Sequence, residues 1–444
     1  MFIPESVSMC IRALEEAGYR AYCVGGCVRD SLLGITPHDY DLCTNARPAQ
    51  TAEVFRTFSL VRSGEKHGTI GVVVDREVIE ITTFRTEGDY HDSRHPDWVD
   101  FVDKVEADLA RRDFTINAMA YAPNEGYIDP WGGREDLKNG ILRAVGDPQV
   151  RFREDALRIL RGARFVSRFH LTPEPATLHA METLAPLLEN LARERVFDEL
   201  CKLLTTATAR DLMTFAPVLV CAIPQISPCV GFRQHSPHHK FDVFVHTAHV
   251  VEAVKPDLAL RWAALLHDVG KPASFTMDEF GRGHFLGHAL LGSAMAEEIL
   301  RELKAPTALR ERVVFLIAHH MTPFEPDKRL LRRRLGRFGE EAVRQLLCLQ
   351  KADFCSKGTV NPRGGKIFDT IAAMLEEILE EDACLQIRDL KINGRDLIAL
   401  GFPIGPAIGD CLEHLLAQIQ DEQLPNTKEA LLQEAERYIK EINL

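Results

Sequence analysis

Short β-branched and alternating apolar runs fill the first third of the chain, and helical spacing takes over after it. "AYCVGG" (21–26) reads as a strand ending in a turn, and "CVRDSLLG" (27–34) as a helix stopped by Gly34. "DYDLCT" (39–44), "GTIGVVVD" (68–75) and "EVIEITTFR" (77–85) carry strand signals. From about residue 150 the pattern stays helical, beginning with "REDALRILRGARFVSRF" (153–169), which predicts one long helix. A Pro- and His-rich connection (223–242) leads to a second helical block, and "GTVNPRGGK" (358–366) interrupts it before an amphipathic tail. The pattern predicts an α+β protein, with a mixed sheet and helices over 1–143 and only helices in 144–222, 230–357 and 358–444.

Composition adds limits. The chain has 444 residues, enough for several domains and substantial cores without covalent staples. It shows neither a span-length apolar run nor a signal peptide at its start, so no membrane partner is expected. Its 11 cysteines form no C-x-x-C and read as reduced thiols of a cytoplasmic protein. A net charge of −12 disfavours a non-specific nucleic-acid coat. One basic stretch, "KRLLRRRLGRF" (328–338), reads either as a solvated helix face or as a phosphate-contacting face.

The first constellation of chemical interest is "HDYDL" (38–42). In an extended strand, side chains at i and i+2 share a face, so Asp39 and Asp41 lie side by side. Two such carboxylates repel, and a hard divalent cation such as magnesium removes the conflict. Glu80 on a neighbouring strand is the candidate third carboxylate. Gly25 and Gly26 let the backbone approach a phosphate, the following helix offers free N–H groups, and Arg29 adds a charged fork. The order of turn, helix and paired aspartates points to a metal–triphosphate site.

With "VGGCVRDSLLGITPHDYDLCTNARP", "HGTI", "EITTFRTEGDY", "ARRDFTINAMAY" and "REDALRILRGARF" in this order, the chain resembles class II tRNA nucleotidyltransferases, the CCA-adding enzymes related to bacterial poly(A) polymerases. The likeness is strong over residues 20 to about 170 and reaches the tail through "LKINGRDLIALGFPIGPAIG". It implies a nucleotidyltransferase palm over 1–143, a nucleotide- and RNA-binding neck and body over 144–222, and a tRNA-binding tail over 358–444. It also implies template-free addition of C, C and A to tRNA 3′ ends from CTP and ATP, with no obligatory protein partner. Asp39 and Asp41 would then bind Mg2+, and Gly26 and Arg29 would hold the triphosphate. Arg112 would contact the nucleotide, with Asp113 and Asn117 near the sugar or capping the helix that follows.

Asp155 and Arg158, at i and i+3 of the expected helix, would share a face. A carboxylate only accepts and a guanidinium only donates. Cytosine and adenine both present an amino donor beside a ring-nitrogen acceptor, whereas guanine and uracil present a carbonyl where the amino group would be. One Asp–Arg pair can therefore take C and A and reject G and U. A surface ion pair, with Glu154–Arg158 serving equally well, is the plainer reading; the resemblance implies the base-reading role. Arg161 and Arg164 match further family positions that help hold the nucleotide, although their spacing keeps them from facing one base edge together. The segment 86–102 fills the family's flexible loop at full length, which favours complete CCA addition over CC-only addition.

A third constellation follows the order of HD phosphohydrolases: His246, the pair His267–Asp268, and Asp353, with His288 and His320 as extra candidates. Imidazole with carboxylate suits nickel, manganese, iron or zinc. Lys271 is a plausible phosphate contact, and the resemblance implies accessory cyclic-phosphodiesterase or phosphatase activity. The alternatives are poly(A) polymerase, CC- or A-only addition, an HD phosphohydrolase that merely binds nucleotide at its N-terminal half, and a non-enzymatic RNA-binding protein.

Overall fold

The computed structural model describes residues 1–87, 99–237, 239–359, 364–381 and 384–441. The chain folds as two compact units, residues 1–227 with 299–305, and residues 228–298 with 306–444.

The first unit is built on a seven-stranded mixed sheet. Its strand order is Ser59–Val61, Thr69–Val74, Glu77–Thr83, Leu42–Thr44, Ala21–Val24, Ala120–Ala122 and Gly126–Ile128. The two central strands are buried along their whole length because both faces are covered. Ala21, Cys23 and Leu42 pack with Val7, Cys10, Ile11 and Leu14 of the helix Glu5–Glu16. Tyr22, Val24 and Cys43 pack with Val105 and Leu109 of the helix Val105–Ala110. Helices complete this unit, among them Pro148–Glu154, Leu157–Phe169 and Arg193–Leu204.

Two local expectations are corrected. The strand expected at 39–44 is ladder only over Leu42–Thr44. Its antiparallel partner turns away at Gly25, whose φ of 75° is a left-handed conformation that glycine adopts without a Cβ penalty. Asp39 and Tyr40 therefore have no strand opposite them, and Asp41 is the last residue the pairing holds, its carbonyl accepting from Val24 N at 3.0 Å. The helix expected over 153–169 is two helices, broken at Asp155. Asp155 is extended (φ −141°), and its Oδ1 accepts from Leu157 N at 3.0 Å, the local hydrogen bond by which aspartate competes with a helix interior.

The second unit is helical apart from a short hairpin at Thr276–Met277 and Gly283–His284. Its basic stretch is the helix Lys328–Phe338. Lys328, Arg332 and Arg333 are committed to carboxylates of Glu377, Glu381, Glu422 and Asp421 within the same unit. Half of the stretch's six cations thus brace this unit. All eleven cysteines are free thiols, and no helix of the described residues is long and apolar enough to cross a membrane.

Candidate active site and a second candidate metal centre

Strand pairing gathers the first constellation at one end of the sheet. The antiparallel register Cys23↔Leu42 sets Asp41 opposite Val24, one residue before the glycine turn. The parallel register Leu42↔Ile81 sets Asp41 beside Glu80. Asp39, Asp41 and Glu80 are all exposed. Asp41 is nonetheless raised above its ordinary pKa, first by loss of solvation around the carboxylate, then by Glu80, with Arg112 opposing and Asp39 adding. Lost solvation is the larger cause and the neighbouring carboxylates add to it, a balance that a divalent cation would relieve. Asp39 pairs with His38 Nδ1 at 2.8 Å.

Arg112 joins this site to a cleft. A Cβ added at Gly25 would lie 2.8 Å from Arg112 Nη1, so the glycine makes room for the guanidinium. Arg112 Nε is buried with no hydrogen-bond partner, and Nη2 reaches Asp108 at 3.4 Å. Asp108 is fully buried; burial would raise its pKa, but Arg111 and Arg112 hold it below the usual carboxylate range. The cleft, of about 210 Å³, is lined by Arg111, Arg112, Asp113, Asp155, Leu157, Arg158, Arg161 and Arg195.

Asp155 and Arg158 both line this cleft, but the break between the helices gives each its own brace. Asp155 Oδ2 accepts from Arg195 Nη2 at 3.2 Å. Arg158 donates from Nη1 to Glu154 Oε2 at 2.7 Å and to the Arg151 carbonyl at 3.0 Å, and from Nη2 to the Arg111 carbonyl at 3.0 Å. Arg158 has five N–H donors, so two remain for a base edge.

Behind the cleft runs a buried relay. Arg161 donates to Asp113 Oδ2 at 2.6 Å, Asn117 Nδ2 donates to Asp113 Oδ1 at 3.0 Å, and Arg29 Nη1 donates to Asn117 Oδ1 at 2.5 Å. Asp113 and Asn117 cap no helix, since the short 3-10 turn Thr115–Asn117 has no side-chain cap. Arg29 departs from its expected role as a triphosphate fork. It is buried, paired with Asp30 at 2.7 Å, and stacked on Phe169 at 4.5 Å. Arg164 takes the structural one of its two expected roles, holding a phosphate or bracing the fold: its Nε donates to Glu199 Oε2 at 2.7 Å, it lies over Phe165, and it is not among the residues lining the cleft. Arg111, Arg195 and Asp108 escaped the sequence reading. Arg111 adjoins Arg112 within "ARRDF", whereas Arg195 lies 40 residues from Asp155 and carries no local signal.

Asp113 yields a stability prediction. Burial alone would raise its pKa, but the charge of Arg161 and hydrogen bonds from Asn117 and Arg161 hold it well below the carboxylate range. A depressed folded pKa stabilises the fold above the unfolded value of about 4, and that contribution fades as pH falls toward the folded value. Asp113→Ala is expected to cost about 2 kcal/mol at pH 7, below the roughly 3–5 kcal/mol of a broken, fully buried pair. The reduction follows because 36% of the Arg161 side chain is exposed. Urea denaturation at pH 7 and below pH 4 checks both the size and the narrowing of the gap.

The second unit holds the other candidate centre. His246 lies in the helix Val243–Ala253 and Asp353 in the helix Glu340–Cys355. His267 and Asp268 sit on the turn after the helix Leu258–Leu266, not on a helix as expected. His288 opens the helix His288–Glu302, and His320 follows the helix Thr307–His319. A Cβ at Gly270 would lie 2.5 Å from the His288 carbonyl, so this glycine permits the close approach that brings His288 to Asp268.

Four imidazoles are oriented alike. The Nδ1 atoms of His246, His267, His288 and His320 face backbone carbonyls at 3.3, 2.8, 2.7 and 2.7 Å. This favours the Nδ1–H tautomer and leaves each Nε2 with a lone pair. His246 Nε2 lies 3.0 Å from Asp353 Oδ1 and 3.7 Å from Asp268 Oδ2, and His267 Nε2 lies 3.1 Å from Asp268 Oδ2. His246 Nε2, His267 Nε2 and Asp268 Oδ2 are buried and turned toward one another and toward Asp353, a donor set that suits a metal ion. Burial lowers the His320 pKa to about 4, keeping that ring neutral. Lys271 Nζ reaches Asp268 Oδ2 at 2.7 Å and Gln234 Oε1 at 2.9 Å.

The comparisons with known proteins agree with one another. The poly A polymerase head domain matches residues 21–143, an RNA and SrmB-binding site of polymerase A matches 170–214, and tRNA nucleotidyltransferase domain 2 matches 285–435. A CCA-adding enzyme of Levilactobacillus brevis is 34% identical, covering 97% of this chain and 98% of its own. One from Streptococcus pneumoniae is 34% identical over 95% of this chain and 94% of its own. The structure of the Bacillus stearothermophilus CCA-adding enzyme in complex with CTP is 27% identical, covers 100% of both chains and superposes with a TM-score of 0.72. By sequence along its whole length and by fold, this chain belongs to the CCA-adding enzymes.

Proposed function

We propose that the chain adds C, C and A to the 3′ end of tRNA from CTP and ATP without a nucleic-acid template, with Asp39, Asp41 and Glu80 holding divalent ions. The observation that carries this reading is a meeting of parts. Asp41 and Glu80 lie in adjacent register at one sheet end beside the Gly25 turn, with Asp39 two residues before Asp41, and Arg112 links this end to the cleft lined by Asp155 and Arg158. Mg2+ suits the exposed carboxylate oxygens; bound there, it would neutralise the triphosphate and raise the acidity of the attacking hydroxyl.

The tRNA 3′-hydroxyl oxygen forms the new bond to the α-phosphorus, the α–β bridging bond breaks, and pyrophosphate leaves. Gly25, with no Cβ, makes room for the Arg112 guanidinium beside the turn, and Arg112 lines the cleft as a cation for a phosphate oxygen. Asp155 accepts from the amino group of cytosine or adenine while Arg158 donates to the ring nitrogen. Positioning and charge neutralisation then supply most of the acceleration. The Bacillus stearothermophilus relative, solved with CTP, supports a nucleotide site in this fold.

We divide the labour among a palm (1–143), a nucleotide- and RNA-binding neck and body (144–222), an HD region (230–357) and a tRNA-binding tail (358–444). Most of the loop expected to separate CCA from CC addition, within 86–102, lies outside the described residues. Product length with CTP alone, ATP alone and both, on tRNA lacking its end, separates full, CC-only, A-only and poly(A) addition.

A second, accessory reading rests on the buried Nε2 and carboxylate atoms gathered around Asp268. These suit a transition metal such as nickel, manganese, iron or zinc, and with Lys271 nearby they suit hydrolysis of phosphate esters. Asp268→Ala is expected to abolish phosphatase and 2′,3′-cyclic phosphodiesterase activity and leave nucleotide addition within about twofold, since Asp268 belongs to the other folded unit. Assaying both activities on one preparation checks this; loss of nucleotide addition in a folded variant would contradict the separation.

A further inference from the structure

The core of the sheet-bearing unit holds two thiols that nucleotide addition does not use. Cys23 lies in the strand Ala21–Val24 and Cys27 in the first turn of the helix Gly26–Leu32. The left-handed turn at Gly25 folds the chain back between them, so both side chains enter one apolar cluster although only three residues separate them. Their sulfurs are in hydrogen-bonding contact. Cys43, on the neighbouring strand, packs in the cluster on the other face of the sheet. The Cys27 sulfur has two further partners. Its S–H donates to the Val24 carbonyl at 3.5 Å, and it accepts from the backbone N–H of Asp41. Val24 N in turn donates to the Asp41 carbonyl at 3.0 Å. One sulfur therefore ties the glycine turn to the residue that carries a candidate metal-binding carboxylate.

We propose that peroxide converts Cys23 and Cys27 into a reversible disulfide, and that this bridge displaces Asp41 and halts nucleotide addition. The effect on addition rests on the reading of Asp41 as a metal-holding carboxylate; the bridge itself does not. Cys27 is 3% exposed and Cys23 not at all, so peroxide meets Cys27 first. The Cys27 sulfur attacks one peroxide oxygen, the O–O bond breaks, and water leaves with the thiol proton, giving a sulfenic acid. The Cys23 sulfur then attacks the Cys27 sulfur, the S–O bond breaks, and a second water leaves. Two thiols lose two electrons and one peroxide becomes two waters. The S–S bond of about 2.05 Å is far shorter than any contact between thiols, so it draws the Cys27 sulfur toward Cys23 and removes its proton. That sulfur then no longer donates to Val24 or meets the Asp41 N–H. Asp41 is the last residue its strand pairing holds, so the shift passes to its carboxylate. Misplacing a reacting group by an ångström costs up to about a hundredfold in rate. A bridge closing so short a loop around a turn is strained and readily reduced, which suits a switch.

The test takes the full chain, reduced and freed of reductant, through increasing hydrogen peroxide and samples it for thiol state and for nucleotide addition. Cys23 and Cys27 share the tryptic peptide Ala21–Arg29, so after alkylation the bridge shows in the mass spectrum as this peptide two hydrogens lighter and without alkyl groups. The exposed Cys355 serves as the reference for dose. The bridged peptide is expected to accumulate as addition falls by about tenfold or more, and dithiothreitol is expected to reverse both. Cys23→Ala leaves Cys27 and its contacts with Val24 and Asp41 in place; it is expected to keep addition near the wild-type rate and to resist the same dose. Cys23 and Cys27 both alkylated at a dose that oxidises Cys355 would overturn the bridge. A bridge that leaves addition unchanged, or equal inhibition of the Cys23→Ala chain, would overturn its control of the site. A reduced wild-type chain that adds no nucleotide would instead contradict the proposed function, and the peptide would still decide whether the bridge forms. If Cys23→Ala does not fold, the peptide and the rate of the wild type decide the matter alone.

Discussion

Asp41→Asn is expected to lower single-turnover nucleotide addition by about a thousandfold or more, with little change in folding. The carboxylate is exposed, and its backbone is held by Val24 whatever the side chain, so the fold does not depend on its charge. Its chemistry does. An amide oxygen carries no net charge and binds a divalent ion far more weakly than a carboxylate does. The raised pKa of Asp41, caused by lost solvation and then by Glu80, means that the neutral variant relieves repulsion in the ion-free protein. Thermal stability should therefore hold or rise slightly while activity collapses. A thermal melt of the variant beside a rate measurement separates the two. Equal losses of both would assign Asp41 a structural role.

The second large effect concerns base choice. Asp155→Asn is expected to reduce kcat/KM for CTP and for ATP by about ten- to a hundredfold, the size of a lost hydrogen bond to a charged group. Discrimination against UTP should fall with it. The new amide can donate to the uracil carbonyl that the carboxylate repels, but Arg158 still meets the ring N–H as a donor facing a donor. UTP should thus gain relative to CTP without becoming a good substrate. Glu154 and Arg195 keep the two readers in place separately, so Arg158→Ala should lose C and A incorporation without relaxing the position of Asp155. Competition between CTP and UTP on tRNA trimmed of its end measures the shift; an unchanged ratio would remove Asp155 from base reading.

What could be read from the residues had short-range causes. Gly25 and Gly26, the strands at 69–74 and 77–83, and the closeness of Glu80 to Asp41 follow from local patterning and one register. The break at Asp155 has a local signal, an aspartate just before an apolar run, but the apolar periodicity continues on both sides of it and masks the start of the second helix. The burial of Arg29 was not legible. Its aromatic partners, Phe165 and Phe169, lie more than a hundred residues downstream, and only tertiary packing turns an expected phosphate ligand into a buried post. Arg195 was silent for the same reason. The six residues expected from the HD order, by contrast, lie together in the structure although they are scattered over more than a hundred positions.

The most direct test of the central claim follows labelled CTP and ATP into tRNA lacking its 3′ end, with Mg2+, for the wild-type chain and for Asp39→Asn and Asp41→Asn. The account predicts C-C from CTP alone, C-C-A and no further extension with both nucleotides, and no product from either variant. Product from a folded Asp39→Asn or Asp41→Asn protein, at a rate near that of the wild type, would contradict it.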